Sequence, residues 1–531
     1  MIEAVTETIC EKDDFNMLRI MYYLGYTRWL GGAASTLFRQ ALLMKKCGQQ
    51  ICVVISDYMG NEVREEFQKL FLEENVDVWN ATYPISSQTE DIDIVSVIEN
   101  YDAVKKLIKD YKPDILHSVQ LNPTVELAGR ELHIPHVMDI YQAIPAFFSI
   151  NYLDVFPHYH ICDSQLYAGV WSRNLQIESV CIRTVASQAK CRKKINFSRD
   201  GLKFVCVGSL EERKNQMEVI KAFHKALQHG IKGSLAFYGY CDGSYGRKCQ
   251  EYVANHGLTG RIVFKGFCTD MQSEYENSDV LICGSTNESY PNVISEALAG
   301  GLIIISTPVA GVPEVIKDGK NGFLFRGFGA DDIFDKLIEF DKVRETGQLN
   351  DILNNVYETY QSAHAPDTVT RQLKEYYSDL INTYKNPNFE IQIEEVKKRF
   401  ADIISVYEDN IYKFTKADAV RKKLWYLYHI HGILMKKRGG FYIWGTGNRA
   451  IEAKEMLDVF FPEIEISGFL DSYKTGRYLD YPIEQPKDML NFAKSIIFVA
   501  VENGQTEIVA ELEAAGKKCN DDYFILAPRV W

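Results

Sequence analysis

The chain has 531 residues, 46% hydrophobic and 25% charged, an ordinary balance for a soluble globular protein, and such a length suggests about three domains. A formal charge of −13 argues against general nucleic-acid binding, which needs a basic face. The 12 cysteines form no Cys-x-x-Cys pair, and Cys52, Cys206 and Cys283 sit in apolar strand-like runs, so they read as small buried hydrophobes in a reducing compartment, not as a disulfide frame or metal site.

In chain order, Met1–Asp14 is polar and acidic, unlike a signal peptide. No apolar run reaches the roughly 18–20 residues that span a bilayer, so a cytoplasmic location is expected. Leu18–Leu24, Ile51–Ser56, Asp114–Val119, His136–Ile140 and Tyr159–Cys162 read as strands; Ala33–Lys46, Ile94–Asp110 and Pro123–Leu132 read as helices. That alternation predicts a parallel α/β sheet. Leu30-Gly31-Gly32-Ala33 falls between the first strand and first helix, where glycine lets backbone approach a ligand and a helix N-terminus favours anions. The basic, polar stretch Ala186–Gly201 reads as a linker. A second α/β set follows, with strands at Lys203–Val207, Ser234–Tyr238, Arg261–Phe264, Val280–Cys283 and Leu302–Ser306. Two such halves facing each other form a ligand cleft at the carboxyl ends of their strands.

The most informative segment lies before the last of these strands. Glu288-Ser289-Tyr290-Pro291-Asn292-Val293-Ile294-Ser295-Glu296 sets one carboxylate in a loop and a second inside the following helix. Pro291 is expected in the first helical turn, because its ring pre-sets φ and its missing N–H would have no partner there. A helix N-terminus flanked by two carboxylates can hold a phosphate and a polyol together, which is what a sugar nucleotide presents. The alternative is a doubly wound protein whose acids are only a helix cap and a solvated face.

The segment Glu288–Phe325 closely resembles the donor site of retaining GT-B glycosyltransferases of family 4. Their Glu-x7-Glu motif appears as Glu288 and Glu296, continued by Ala297-Leu298-Ala299-Gly300-Gly301, Gly311-Val312-Pro313-Glu314-Val315 and Asp318-Gly319-Lys320-Asn321-Gly322. The resemblance covers about Leu18–Tyr384. It implies that Glu288 holds donor-sugar hydroxyls and Glu296 the ribose hydroxyls, with Tyr290 and the backbone around Asn292 and Val293 completing the donor site. In Val207-Gly208-Ser209-Leu210-Glu211-Glu212-Arg213-Lys214-Asn215, Lys214 falls on the family's diphosphate-neutralising lysine. Ser209 replaces the usual arginine after Gly208, and Arg213 could supply the second charge. The Gly31–Gly32 loop corresponds to the family's glycine-rich loop beside the donor phosphates, and Lys265-Gly266-Phe267-Cys268 to the loop near the base. Many relatives end a strand of the first half in a histidine that bonds the donor sugar; here that position is Tyr141, while His136 reads as a satisfied core histidine and Asp139 as either cleft-facing or a strand cap.

The resemblance therefore implies a retaining glycosyltransferase with a nucleoside-diphosphate sugar as co-substrate, no further cofactor and no metal, acting on a glycan, lipid-linked or other acceptor. The alternatives are a GT-B epimerase or phosphorylase, or a non-catalytic nucleotide-sugar-binding protein.

Residues 331–439 read as mostly helical, and Pro366–Tyr384 resembles the closing helix of a GT-B protein. Arg421-Lys422-Lys423 and Lys436-Lys437-Arg438 bracket an apolar-aromatic stretch. It reads first as a docked helix with solvated charges, and alternatively as a peripheral contact with an anionic membrane over residues 421–438. From Gly440 a third Rossmann-like unit begins. Gly445-x-Gly447-x-x-Ala450, with Asp471 ending the next strand, mimics a dinucleotide fingerprint, and a non-redox accessory domain is expected. The predicted architecture is α/β: Rossmann-like domains at 1–190 and 191–365 facing each other, crossing and linker helices at 366–439, and a small Rossmann-like domain at 440–531.

Overall fold

The computed structural model describes residues 17–25, 32–57, 65–85, 94–141, 159–175, 178–186, 195, 201–268, 270–385, 434, 439–461, 463–489, 495–501, 505–518 and 522–525. Its framework is three twisted α/β sheets, and the first two are parallel throughout.

The first sheet contains β1 (Arg19–Leu24), β2 (Gln50–Ser56), β3 (Asp77–Ala81), β4 (Ile115–Val119), β5 (His136–Asp139), β6 (Tyr159–Cys162) and β7 (Glu178–Cys181), in the order 3-2-1-4-5-6-7. Its central strands are apolar runs buried on both faces, as a sheet covered by helices requires. The edge strands β3 and β7 are polar and partly exposed, so they lacked the apolar signal that marked the others. The second sheet repeats the plan with β8 (Leu202–Val207), β9 (Gly233–Tyr238), β10 (Ile262–Gly266), β11 (Val280–Cys283), β12 (Ile303–Ser306) and β13 (Phe323–Leu324), ordered 10-9-8-11-12-13. In each sheet the strand order reverses beside the first strand, between β1 and β4 and between β8 and β11. A crevice opens at such points at the strands' carboxyl ends.

After the second sheet the chain returns to the first. Pro366 starts the helix Pro366–Thr383, and Val369, Leu373, Tyr377 and Leu380 lie along its buried stripe within the core of the first sheet. The third sheet comprises β14 (Phe441–Trp444), β15 (Ile466–Leu470), β16 (Gly476–Tyr478), β17 (Tyr481–Glu484), β18 (Ile496–Val499) and β19 (Tyr523–Ile525), ordered 16-17-15-14-18-19. All its pairings are parallel except β16 with β17, a hairpin at the edge.

Eight of the described cysteines are free thiols, five of them buried as the sequence reading expects, but Cys47, just past the first helix, is disulfide-bonded. That corrects the expectation that no cysteine would be paired: an apolar neighbourhood shows burial and says nothing of which thiols meet in space.

Candidate functional site

The loop Cys283–Pro291 carries Glu288 to the mouth of the crevice. Its Oε1 accepts a hydrogen bond from Arg213 Nη1 at 2.7 Å and another from the Lys214 ammonium. Both cations come from the single 3-10 turn Glu212–Lys214 after β8. Asn215, with φ 61°, bends the chain left-handed from that turn into the helix Gln216–Gln228. Cations at a helix start oppose the dipole, and here the Glu288 carboxylate offsets that conflict. Gly208, with φ +137°, lies beside the Lys214 side chain, and Gly239 at the end of β9 packs so tightly that a Cβ there would collide with the Gly208 carbonyl oxygen. Two strand-end loops are thereby held in contact beneath the cations. Ser209 is exposed next to them, and Gly266 ends β10 with φ +71°.

The helix Asn292–Ala299 begins one residue later than predicted. Pro291 is its N-cap, extended at φ −65° and ψ 121°, with no side-chain cap bond. Proline's fixed φ suits both the helix and the extended residue before it, so φ alone could not separate the two positions. Glu296, inside this helix, has both carboxylate oxygens engaged: Oε1 by Arg39 Nη2 at 2.7 Å and Oε2 by the Tyr275 hydroxyl at 3.1 Å. Arg39 belongs to the first helix, Gly32–Lys46, so this ion pair spans the two halves.

Other contacts join the halves along the same line. Asn292 donates to the Gly32 carbonyl at 3.1 Å and accepts from the Thr184 hydroxyl at 3.1 Å. The Glu314 carboxylate accepts from the backbone N–H groups of Gln165 and Leu166, each at 2.8 Å, and from Arg183 Nη2 at 2.7 Å. It therefore caps the helix Gln165–Leu175 from the opposite half, where the dipole favours an anion. Buried Asp163, just past β6, accepts from the Ser289 hydroxyl, and its own carbonyl accepts from Arg183 Nη1 at 2.8 Å. Burial pushes the Asp163 carboxyl up to about 7 despite the hydrogen bond from Ser289.

Tyr290 turns inward. Its hydroxyl meets His364 Nε2 at 2.9 Å, its ring stacks on that imidazole at 5.3 Å, and Arg183 lies over its face. Its side chain is thus spent inside the protein, and only its backbone faces the loop. Burial holds His364 at about 3, so it stays neutral, and its Nδ1 meets the Thr184 carbonyl at 2.9 Å. Val293 is partly buried on the helix's first turn.

Tyr141 lies just beyond β5, at the crevice end of the first sheet. Its hydroxyl donates to Asp139 Oδ2 at 2.6 Å. Asp139 is fully buried, neither cleft-facing nor a strand cap. His136 is satisfied in the core by Glu126 and Ser118, each at 2.8 Å.

In the third unit, Asp471 meets its own loop. Oδ2 accepts from the Thr446 hydroxyl, and Oδ1 from the N–H groups of Tyr473 and Lys474 at 2.8 and 2.9 Å. Burial works against the charge, but these bonds hold the carboxyl below its ordinary range. Its expected part in holding ribose would require trading them. Gly445, with φ +135°, packs where a Cβ would collide with the Ala500 carbonyl oxygen, and Gly447 is the N-cap of the helix Asn448–Phe460. Gly31 and the cationic segment 421–438, apart from Leu434, lie outside the described residues.

Sequence reasoning brought together Glu288, Lys214 and Arg213, but it missed Arg39, Asp163, Arg183 and Tyr275, and it gave Glu314 a place in a motif without a role. Arg39 did leave a signal: a cation among Leu37, Phe38, Ala41 and Leu42 on a helix with no acidic partner nearby in sequence.

Two facing doubly wound sheets joined by a returning helix, with a carboxylate–cation cluster at the crevice, make a GT-B architecture. Residues 187–352 match the family model described as "Glycosyl transferases group 1". Among individual proteins, the chain is similar to N-acetyl-alpha-D-glucosaminyl L-malate synthase of Bacillus anthracis, 25% identical over 197 residues, 37% of this chain and 50% of that protein. It is also similar to sulfoquinovosyl transferase SQD2 of Arabidopsis thaliana, 24% identical over 278 residues, 46% and 52% of the two chains. The chain thus spans about half the length of these relatives. In fold, it superimposes on a glycosyltransferase from Rickettsia africae ESF-5 with a TM-score of 0.58 and 17% identity, over 70% of this chain and 100% of that one. Anabaena Alr3699/HepE, crystallised with UDP and glucose, gives a TM-score of 0.54 and 17% identity over 68% and 100%.

Proposed function

We propose that the protein is a retaining, metal-independent glycosyltransferase that moves a sugar from a nucleoside-diphosphate sugar to a glycan, lipid-linked or other acceptor. The observation that carries this reading is the convergence of Lys214 and Arg213 on the Glu288 carboxylate. Groups suited to a diphosphate and a group suited to sugar hydroxyls occupy one spot, before a helix N-terminus.

In this reading Lys214, with Arg213, offsets the charge that builds on the leaving diphosphate, and the backbone N–H groups around Asn292 and Val293 add to that stabilisation. Preorganised donors of this kind act where charge develops. Glu288, relieved of part of its ion pairing, accepts from donor-sugar hydroxyls. Glu296 keeps acceptor capacity beyond its bonds to Arg39 and Tyr275 and takes the ribose hydroxyls. Gly208, Ser209 and the Gly31–Gly32 loop border the phosphates, Gly266 the base, and Tyr141 the sugar. The acceptor hydroxyl attacks the anomeric carbon on the face the diphosphate leaves, the C–O bond to phosphate breaks, and the leaving phosphate oxygen takes the acceptor proton.

The domain division at 190, 365 and 439 belongs to the same reading. Residues 440–531 act as a non-redox accessory domain that either binds a nucleotide sugar weakly through Gly445, Gly447 and Asp471 or only docks partners, and residues 421–438, in the cytoplasm, either dock on it with their charges in water or touch an anionic membrane surface. The test incubates the purified chain with a panel of uridine and guanosine diphosphate sugars and an excess of candidate acceptors. Nucleotide release with acceptor modification at a retained anomeric centre is expected; no release from any donor would overturn the reading.

A further inference from the structure

Beneath Tyr141 lies a file of buried polar groups that the donor chemistry does not itself use. Asp139 Oδ2 accepts from the Tyr141 hydroxyl at 2.6 Å, and Asp139 Oδ1 faces His117 Nε2 at 2.7 Å. His117 Nδ1 meets the Tyr377 hydroxyl at 2.5 Å, and that hydroxyl meets the Tyr22 hydroxyl at 3.0 Å. Tyr22, His117, Asp139 and Tyr377 are each fully buried. They come from four segments. Tyr22 and His117 are register partners on β1 and β4, where the strand order reverses, Asp139 ends β5, and Tyr377 is on the helix Pro366–Thr383. The Tyr22 ring stacks on the His117 ring at 5.2 Å, and the Tyr377 ring meets it edge-on at 5.8 Å.

The chemistry of the groups fixes the direction of the bonds. A carboxylate oxygen accepts, so the proton between His117 and Asp139 is assigned to Nε2. In that tautomer Nδ1 accepts from the Tyr377 hydroxyl, whose oxygen accepts from Tyr22. One line of donors runs inward to Asp139, and Tyr141 supplies the last donor from the crevice side. With its proton committed to Asp139, the Tyr141 oxygen keeps its lone pairs to accept from a hydroxyl group.

We propose that Asp139, His117 and Tyr377 are positioning residues for Tyr141, so that the helix Pro366–Thr383, by placing the Tyr377 hydroxyl, sets the group that receives a donor-sugar hydroxyl. The inference rests on the glycosyltransferase reading for the identity of that ligand, and on the hydrogen-bond file for everything else. A fully satisfied buried network is rigid, because each member has one geometry that satisfies its neighbours. Removing the far hydroxyl leaves His117 Nδ1 without its donor and frees the ring to tilt, which passes through Asp139 to Tyr141.

The test uses the full chain with Tyr141→Phe, Tyr377→Phe and the double variant, assayed with whichever nucleoside-diphosphate sugar of the panel is turned over fastest. Tyr377→Phe should lower kcat about three- to tenfold, the size of one hydrogen bond, while KM and the affinity for UDP or GDP alone stay within about twofold. The double variant should be no slower than Tyr141→Phe alone, since both act on one contact. Wild-type kcat in Tyr377→Phe alongside a slow Tyr141→Phe, or multiplying losses in the double variant, would overturn the proposal. If the wild type turns over no donor, the glycosyltransferase reading falls by itself. The file is then judged by urea unfolding of the same variants, where coupled losses support it and additive losses overturn it.

Discussion

Asp163 offers the sharpest test of how the two halves meet. It is buried where Ser289 of the second half touches the first, and its carboxyl stands at about 7 against an ordinary 3.8. Every tenfold gain in proton affinity is worth about 1.4 kcal/mol, so the ionised form carries a burden on the order of 4 kcal/mol relative to the unfolded chain. The native state binds the extra proton between these two values. Stability from this group is therefore full below about pH 4 and is lost as pH rises through 7. Asp163→Asn replaces the group with a neutral amide of the same shape that can still accept from Ser289. Arg183 is untouched, because it bonds the Asp163 backbone carbonyl and Glu314. Allowing for relaxation around the charge, the variant should be more stable than wild type by about 2 kcal/mol at pH 8, with the gap shrinking to under half of that by about pH 5 and closing near pH 4. Urea unfolding of both proteins at pH 5, 6.5 and 8 reads this difference directly. Parallel curves across that range, or a variant less stable at pH 8, would refute the reasoning.

Glu288→Ala and Lys214→Ala should each slow transfer by about 10²–10³-fold with folding intact, the cost of one well-placed electrostatic group; steady-state kinetics and circular dichroism check both parts. Activity should persist in EDTA, because the proposed mechanism has Lys214 and a helix terminus take the diphosphate charge; loss on chelation that manganese restores would count decisively against that account. Arg39→Ala leaves Glu296 with Tyr275 alone on the crevice side and removes a bond between the halves. It should raise KM for the donor about three- to tenfold with a smaller change in kcat, and an unchanged KM would show that Glu296 needs no partner from the first half.

The parts of the site that were legible in the sequence are local ones. Glu288, Pro291 and Glu296 stand within one loop and helix, and Arg213 and Lys214 within one turn, so their spacing announces them. The central strands were equally plain, because a strand buried on both faces is an unbroken apolar run. What stayed hidden is long-range. Glu314 caps a helix far earlier in the chain, Arg39 reaches Glu296, and Tyr377 completes a file that starts on β1. Each is an ordinary polar residue in its own window, and only the fold supplies its partner. Asp471 is the converse case: its place in the fingerprint was legible, while the bonds its oxygens make to the loop it ends were not.

The chain passes between the halves twice, once after β7 and again before Pro366, and the two passages are tied side by side. The Ala186 N–H donates to the His364 carbonyl at 3.0 Å, and the His364 ring meets the Thr184 carbonyl at 2.9 Å. These two bonds join the passages directly, so a change at Thr184, Ala186 or His364 touches both of them at once. The imidazole that joins them also stacks on Tyr290, two residues from Glu288, so the link between the halves and the Glu288 loop share one side chain.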